Sequence, residues 1–505
     1  MTSDHFVILG NGAAGFRAAK ALRRADTGAQ ISLFTQEPHP FYLRRQLGDF
    51  LAGNLTLSEL IFQGRNAYRR ERIDLVLATR IVRVAPEAHE VVFASGQRVN
   101  YSRLLVATGT EAAPLDLPGA DLEGVVRFDT LHGAVKVREA LKDVRRAVIL
   151  DAGLVGLTLA QSLVGCGIEV TQLVDGPSYW PEMLDEKASR LVEDLLEKNG
   201  IAVRRHTAAR AIIGAGGRAI GVETAGGDLL GAELVAYGSR RRPAVGLVEG
   251  SAIAVGRGIR VDQRLRTNQP DVFAAGDVAE TVPSATETDD RRPAPPGFAP
   301  ASRRDALAKP GDTPFCWQRA WNHGAIAAAN MLEPAGVDPG APGLAAGAIR
   351  MRTEVFGHEL AVLGAGHLPD GPDTESVLLP AAGGPCSRGN LSIQGGPETY
   401  QRLVFQGGRL VGATVFAAGE RVPELDRLVA SGADRAAVER AIGPAEPQTA
   451  GGIPQTFARH CPICSAELIV HHGTPPGTRF RCEACNTELV VRWDSEQMWI
   501  EVSPS

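Results

Sequence analysis

Three glycines near the amino terminus have the spacing of a phosphate-binding turn. Gly10, Gly12 and Gly15 form a G-x-G-x-x-G pattern between the apolar segment "FVIL" and an alanine-rich segment. In such a turn the first glycine permits a sharp bend, the second lets the backbone approach a diphosphate, and the third lets helix and strand pack closely. The partial positive charge at the start of the helix would face the phosphates. The pattern therefore predicts a dinucleotide site.

A second turn of this type carries a carboxylate. The segment "RAVILDAGLVGLTLAQSL" (146–163) again reads strand, turn and helix and keeps Gly153 and Gly156, but Asp151 stands in the place of the first glycine. A carboxylate ~5 Å from a diphosphate charge, at an effective dielectric constant of about 20, opposes binding by up to about 3 kcal/mol. Two interpretations stay open. The aspartate can adopt the left-handed conformation and keep the turn, or its side chain can point into solvent and cap the helix, which leaves amides free for phosphate.

Four of the seven cysteines form two close pairs, Cys461 with Cys464 and Cys482 with Cys485. The C-x2-C-x17-C-x2-C spacing lets four thiolates surround one metal ion as a tetrahedral site. So small a module lacks a sufficient core, and metal binding would supply the missing stability. The spacing resembles a zinc ribbon. Zinc is favoured over rubredoxin-like iron because the spacer has a single aromatic residue, Phe480.

Composition narrows the class of protein. The chain has 505 residues, 22% of them charged, and a net charge of −5, so no basic field points to nucleic acid or an anionic membrane. No apolar run approaches the roughly 18 residues that span a bilayer. The strand predicted directly after "MTSD" leaves no room for a signal peptide. We expect a cytoplasmic protein that spans no membrane and binds no nucleic acid.

Two later strand ends carry small residues that let a bulky ligand approach. Ala107, Thr108 and Gly109 end one apolar strand, and Gly276-Asp277 end another. The Asp277 carboxylate can accept hydrogen bonds from ligand hydroxyls. Glu37 follows the strand "AQISLF" and is either an acid that holds an adenosine ribose or a surface residue in a turn.

These motifs, together with "EPHPFYLRRQL" (37–47) and "FCWQRAWNHGAIAAANML" (315–332), resemble the two-dinucleotide-binding-domain flavoproteins. This family includes NADH:ferredoxin and rubredoxin reductases and the flavoprotein part of NADH-dependent nitrite reductase. The resemblance implies that Arg44 lies against the flavin and Trp317 near the isoalloxazine; a solvated loop arginine and core packing are the alternatives. The FAD contacts that it implies are Gly10, Gly12, Ala13, Ala14, Gly15, Glu37, Arg44, Ile81, Ala107, Thr108, Gly109, Gly276, Asp277 and Trp317.

The second unit departs from the family pattern. The NAD contacts that the resemblance implies are Gly153, Gly156 and Asp175. However, Val174 occupies the place of the ribose acid, and Asp175, one residue later, is either its substitute or the start of a turn. Thr158 replaces a glutamate that the family commonly carries near the nicotinamide. No lysine or arginine lies in 172–186, so NADPH is disfavoured, and NAD(H) binding itself stays open.

The implied fold class is α/β, with two Rossmann-like domains, an α+β interface domain and a small zinc ribbon. Within the interface domain, "QGGR" between two alternating apolar runs predicts a β-hairpin. A Pro- and charge-rich insertion at 280–314 is interpreted as a long loop, and Cys166 as a core residue. The expected divisions are an FAD-binding domain (1–115 and 240–335), an inserted NAD-type domain (116–239), the interface domain (336–445), a linker (446–457) and the zinc ribbon (458–505).

The motifs predict an FAD-dependent oxidoreductase that moves electrons between NAD(H) or a partner subunit and a protein redox acceptor. Residues 37–60 contain no cysteine, so no redox disulfide accompanies the flavin, and the electrons would pass to a one-electron carrier. The alternative is a non-catalytic or partner-dependent FAD-holding subunit with a degenerate NAD site. The sequence does not define the oligomeric state.

Overall fold

The computed structural model describes residues 4–238, 241–281, 317–333, 350–366, 368, 371, 374–379, 399–417, 421–442, 456–460, 467–471, 477–482, 487–493 and 498–502. Most of the predicted 280–314 loop lies outside these ranges, as do Cys461, Cys464 and Cys485.

Residues 5–106 and 272–274 build a five-stranded parallel sheet, which is the centre of the first half of the structure. Its strands are β1 (His5–Leu9), β2 (Gln30–Phe34), β3 (Ile73–Val76), β7 (Arg103–Val106) and β19 (Val272–Ala274), in the order β19-β7-β1-β2-β3. All four pairings are parallel. Strands β1, β7 and β19 carry continuous apolar runs, as is typical of parallel strands covered on both faces. The carboxyl ends of β1, β7 and β19 therefore meet at one edge.

A second five-stranded parallel sheet has the same arrangement and is the centre of the second half of the structure. It consists of β9 (Val125–Arg127), β10 (Arg146–Ile149), β11 (Glu169–Leu173), β12 (Ile201–Arg204) and β16 (Leu234–Tyr237), in the order β12-β11-β10-β16-β9. The pairings are again parallel. Asp151 therefore lies at the carboxyl edge of this sheet, just as Gly10 lies at the edge of the first.

Smaller sheets complete these two halves. Two antiparallel sheets of three strands consist of β4 (Ile81–Ala85), β5 (Glu90–Phe93) and β6 (Arg98–Asn100), and of β13 (Ala209–Ala215), β14 (Arg218–Thr224) and β15 (Leu229–Gly231). Two pairs are β8 (Thr110–Ala112) with β17 (Arg241–Pro243), and β18 (Ile259–Val261) with β20 (Ala279–Thr281). Because β8 and β17 flank the second sheet in sequence, the chain enters and leaves that half through two adjacent antiparallel strands.

Ten α-helices fall in the described ranges. They are α1 (Ala13–Ala25), α2 (Leu47–Ala52), α3 (Leu57–Leu60), α4 (Arg65–Arg70), α5 (Leu131–Ala140), α6 (Leu154–Gly165), α7 (Glu186–Lys198), α8 (Trp317–Met331), α9 (Val422–Ala430) and α10 (Arg435–Ile442). The interpretation of Cys166 as a core residue is wrong, because α6 ends at Gly165 and Cys166 is its exposed C-cap.

An antiparallel sheet follows the two parallel ones. It consists of β21 (Arg350–Val355), β22 (His358–Gly364), β23 (Thr374–Leu378), β24 (Tyr400–Gln406) and β25 (Arg409–Phe416), in the order β21-β22-β25-β24-β23. The predicted hairpin is confirmed: β24 pairs with β25, and Gly407 and Gly408 form its turn. This sheet contacts the second half through Gln161 of α6, whose side chain accepts from the amide of Phe356 at 2.7 Å.

The described residues of the carboxyl-terminal segment include five antiparallel strands. β26 (Thr456–His460) pairs with β27 (Glu467–His471), and β29 (Glu488–Trp493) pairs with β28 (Arg479–Arg481) and β30 (Met498–Val502). One cysteine pair falls between β26 and β27 in the sequence, and the other between β28 and β29. Among the helices of the described ranges, none combines the length and the apolar character that a bilayer crossing requires.

Helix α8 packs directly on α1, and a glycine permits this contact. A Cβ at Gly324 would lie 2.2 Å from the carbonyl oxygen of Ala14. We expect Gly324→Ala to lower the free energy of unfolding by about 1–3 kcal/mol, because the two helices must separate. Thermal unfolding followed by circular dichroism measures this effect.

Gly165→Ala is the matched control, because a Cβ there meets no heavy atom within 4 Å. Alanine is the better helix former, so this variant should gain up to about 1 kcal/mol. A Gly324→Ala protein that melts like the wild type would contradict the close packing.

Candidate nucleotide sites

The first glycine turn is shaped by backbone contacts. Gly10 has a φ of +109°, and a Cβ there would lie 2.3 Å from the carbonyl oxygen of Ala107. A Cβ at Gly15 would lie 1.9 Å from the carbonyl oxygen of Gly10. Both positions therefore exclude any side chain, as the spacing predicts.

Gly12 has the opposite environment. It is the N-cap of α1, and a Cβ there would meet no heavy atom within 4 Å. No acceptor among the described residues engages the Gly12 amide. The turn thus combines open space with backbone donors at the positive end of a helix, which fits a diphosphate. Ala13 and Ala14, the first residues of α1, add no charge to this surface.

The strand ends close on this turn. Gly276 follows β19, and a Cβ there would lie 3.2 Å from the Cβ of Ala14 and 3.4 Å from that of Ala320. Gly276 begins a 3₁₀ turn, Gly276–Val278, that includes Asp277. Four segments therefore converge: the glycine turn, the end of β7 at Ala107, the Gly276 turn and α8.

The Gly276 turn is held by α8. The Gly276 amide donates to Nδ1 of His323 at 3.3 Å, and Arg319 lies 3.8 Å from the Asp277 carboxylate. Burial and then the charge of Arg319 lower the pKa of His323 to about 3. The imidazole is therefore neutral at physiological pH. Sequence reasoning did not identify His323; its place directly before the helix-packing Gly324 was the available signal.

Glu37 and Arg44 pair with each other through their side chains. Burial alone would raise the pKa of Glu37, but Arg44 and a hydrogen bond with Tyr42 lower it overall. A second Arg44 nitrogen donates to the backbone carbonyl of Asp129, at the end of the second sheet. The two predicted FAD contacts are thus brought together and joined to the other half.

Asp129 is the centre of an ion cluster that sequence reasoning missed. Its carboxylate, 3% exposed, accepts from Arg127 Nε at 2.7 Å and from Arg241 Nη1 at 2.8 Å. Arg241 also donates to the Thr110 hydroxyl at 2.6 Å. The run of arginines at 240–242 was the available hint, because Arg241 lies more than a hundred residues from both Asp129 and Thr110.

The remaining predicted FAD contacts lie along the same half. Thr108 donates to the Ala244 carbonyl at 3.1 Å, Gly109 accepts from the Ala244 amide at 3.0 Å, and Ile81 is buried at the start of β4. Trp317 begins α8 and stacks on Trp321 with ring centroids 4.9 Å apart. The guanidinium of Arg45 lies 5.1 Å from the Trp317 ring.

The second glycine turn differs from the first because a side chain already accepts from one of its backbone amides. Asp151 is 5% exposed, and its Oδ1 accepts from the Gly153 amide at 2.7 Å. Gly153 is the N-cap of α6 and corresponds to Gly12. Asp151 does not take a positive φ, and it does not point into solvent, so neither open interpretation is correct in full. The carboxylate turns inward and occupies a donor that phosphate would use.

A buried polar network holds Asp151 in this position. Gln172 Nε2 donates to the Asp151 carbonyl at 2.6 Å and to the Tyr179 hydroxyl at 2.8 Å. Burial and then the charge of Asp151 raise the pKa of Tyr179, so the phenol stays protonated. A Cβ at Gly156 would lie 2.3 Å from the Asp151 carbonyl oxygen, which keeps the close helix contact of the first turn.

The other residues considered for the second site lie at the end of β11 and within α6. Val174 is buried just after β11, and its amide donates to the Arg204 carbonyl at 2.9 Å, whereas Asp175 is exposed. The Thr158 hydroxyl donates to the Leu154 carbonyl within α6 at 2.9 Å.

Of the four predicted metal ligands, Cys482 alone falls in the described ranges. It is buried, and its amide donates to the Thr487 carbonyl at 2.9 Å, directly after β28 and directly before β29. The described residues contain no group of three or more possible metal ligands. The metal site therefore stays a prediction.

Comparison with known proteins agrees with the two-sheet plan. The chain is 28% identical over 281 residues to the assimilatory nitrate reductase electron transfer subunit of Bacillus subtilis. This match covers 55% of this chain and 36% of that protein. It is 32% identical to the biphenyl dioxygenase system ferredoxin–NAD(+) reductase component of Paraburkholderia xenovorans, over 55% of this chain and 67% of that one. The chain thus spans about a third of the first relative's length and two thirds of the second's.

A solved structure shows the same fold. The ferredoxin reductase for the CYP199A2 system from Rhodopseudomonas palustris superposes with a TM-score of 0.67 at 24% identity, over 83% of this chain and 93% of that one. A family profile described as pyridine nucleotide-disulphide oxidoreductase matches residues 4–293. Because this match covers more than half of the chain, the protein belongs to the pyridine nucleotide-disulphide oxidoreductase family.

Proposed function

We propose that the protein is an FAD-dependent reductase that moves electrons from NADH, or from a partner subunit, to a protein redox acceptor. The observation that carries this proposal is the first turn, where an open helix start meets two small-residue strand ends. The relatives named as an electron transfer subunit and a ferredoxin–NAD(+) reductase component support the class of acceptor.

The residues around the first turn suit FAD. The Gly12 turn would hold the diphosphate, Glu37 the ribose, and Asp277 the hydroxyls of the flavin side chain. FAD supplies the exchange of a hydride for single electrons, while the protein positions it and tunes its surroundings. With no cysteine in 37–60, the chain offers no disulfide for the electrons at that place.

The proposal includes the domain divisions. The first sheet corresponds to the FAD-binding domain (1–115 and 240–335), and the second to the inserted NAD-type domain (116–239). The antiparallel sheet corresponds to the interface domain (336–445). The proposal also places the protein in the cytoplasm. For the zinc ribbon (458–505), the support is that each cysteine pair falls in the connection of a β-hairpin.

A second candidate function rests on Asp151. Because its carboxylate takes the Gly153 amide, the second turn has lost a phosphate donor and gained a negative charge. An FAD-holding subunit that receives electrons from a partner, instead of from NADH, agrees with this geometry. Stopped-flow mixing with NADH separates the two candidates.

We expect the purified protein to be yellow, with one non-covalent FAD per chain. Asp277→Ala should lower FAD occupancy at least tenfold, because the hydroxyls lose a charged acceptor. Absorbance after desalting measures occupancy. Asp175→Ala, on an exposed acid of the other half, is the matched control and should keep its FAD. Full occupancy in Asp277→Ala would show that the Gly276-Asp277 assignment is wrong.

Asp151→Gly should improve NADH affinity ten- to a hundredfold, or about 1.4–2.8 kcal/mol. The substitution removes the carboxylate and releases the Gly153 amide. The measurement is the rate of flavin bleaching against NADH concentration, with NADPH as the comparison; we expect NADH to be preferred.

Asp151→Asn separates the two causes, because it removes the charge but keeps an acceptor for the Gly153 amide. If NADH affinity rises in both variants, the negative charge is the cause of weak binding. If it rises in Asp151→Gly alone, the cause is the occupied Gly153 amide. Wild-type protein that is already reduced by micromolar NADH at enzyme-like rates would contradict the degenerate site and leave the reductase standing.

Metal analysis should find one zinc per chain, and Cys482→Ser should release it without loss of FAD. The exposed Cys166→Ser is the control and should keep both. A red protein with one iron per chain would instead favour a rubredoxin-like acceptor fused to its own reductase.

A further inference from the structure

We infer that His323 is a positioning residue for FAD: its imidazole holds the Gly276 amide and thereby fixes the direction of the adjoining Asp277. The inference rests on the proposed function, because it concerns how the chain holds that cofactor. His323 itself lies in α8, is 2% exposed and belongs to none of the predicted contacts.

The hydrogen bond defines the state of the ring. The Gly276 amide donates to Nδ1 at 3.3 Å, so Nδ1 carries no proton and a neutral ring carries it on Nε2. Gly276 has a φ of +79°, and this left-handed conformation turns the chain sharply directly before Asp277. A buried amide without an acceptor is costly, so the loss of His323 would favour a different path for this turn.

The position of the bond links it to the diphosphate turn. A Cβ at Gly276 would lie 3.2 Å from the Cβ of Ala14 in α1 and 3.4 Å from the Cβ of Ala320 in α8, so this turn lies close to both helices. His323 lies three residues after Ala320 and directly before Gly324, the residue that packs on the Ala14 carbonyl. One turn of α8 therefore supports the start of α1 and the Gly276 turn at once.

Charges around the ring make the bond sensitive to acid. Arg319 lies on the same helix one turn earlier, and Asp277 follows Gly276 and approaches Arg319 at 3.8 Å. The guanidinium of Arg17 in α1 lies 5.5 Å from the ring of Trp321 in α8. A protonated Nδ1 would oppose the Gly276 amide, donor against donor, and would add a positive charge beside Arg319. The bond therefore persists at neutral pH and is lost as the pH falls through the pKa of His323, about 3.

Two substitutions separate positioning from core filling. His323→Asn places a neutral amide oxygen where Nδ1 lies and keeps the acceptor at every pH. His323→Leu fills similar space with no acceptor. The readouts are the FAD dissociation constant of reconstituted full-length protein at pH 7, the absorbance spectrum of the bound flavin, and the pH at which half the FAD is released. Far-UV circular dichroism confirms that each variant is folded.

At pH 7 we expect His323→Leu to raise the FAD dissociation constant at least tenfold, and His323→Asn to stay within threefold of the wild type. On acidification, the wild type should release FAD at least one pH unit above His323→Asn. Equal affinities for wild type and His323→Leu, or the same acid profile for wild type and His323→Asn, would overturn the positioning role alone. A folded wild-type protein that binds no FAD would overturn the proposed function as well.

Discussion

The close approach of the Gly10 backbone to the Ala107 carbonyl is the constraint on which the first half of the structure depends. With 2.3 Å between a Cβ at Gly10 and that oxygen, only glycine lets β1 end beside β7 and turn into α1. The close approach leaves the start of the helix uncovered, and the exposed amides are the source of its attraction for anions. The Gly276 turn and α8 then add their contacts around this opening.

The second half shows that a shared backbone plan does not guarantee a shared electrostatic outcome. Gly156 packs on the turn as Gly15 does, so the strand, turn and helix keep their arrangement. At the start of the first helix the free amides attract an anion. At the start of α6 the carboxylate of Asp151 already occupies the Gly153 amide. Gln172 donates to the Asp151 backbone carbonyl and to the Tyr179 hydroxyl, so buried contacts in the core of this half fix the position of Asp151.

The sequence predicted the local parts of the molecule better than its long-range pairings. The glycine spacing at 10–15 and the apolar strand runs are local patterns, and they correctly gave two parallel sheets and the β24–β25 hairpin. The inward turn of Asp151 depends on a neighbouring strand that the spacing does not reveal. The cluster of Arg127, Asp129 and Arg241 joins segments far apart in the chain, and no periodicity encodes such partners.

The adjacent antiparallel strands β8 and β17 place the two ends of the second half side by side. Paired strands lie about 4.8 Å apart, so the segment between them leaves and rejoins the first half at almost one point. Such neighbouring ends allow a whole folded unit to be gained, lost or exchanged without disturbance of its host. A single recombination event at this junction could introduce a different second half. The junction is thus a point at which the second half can be exchanged independently of the first.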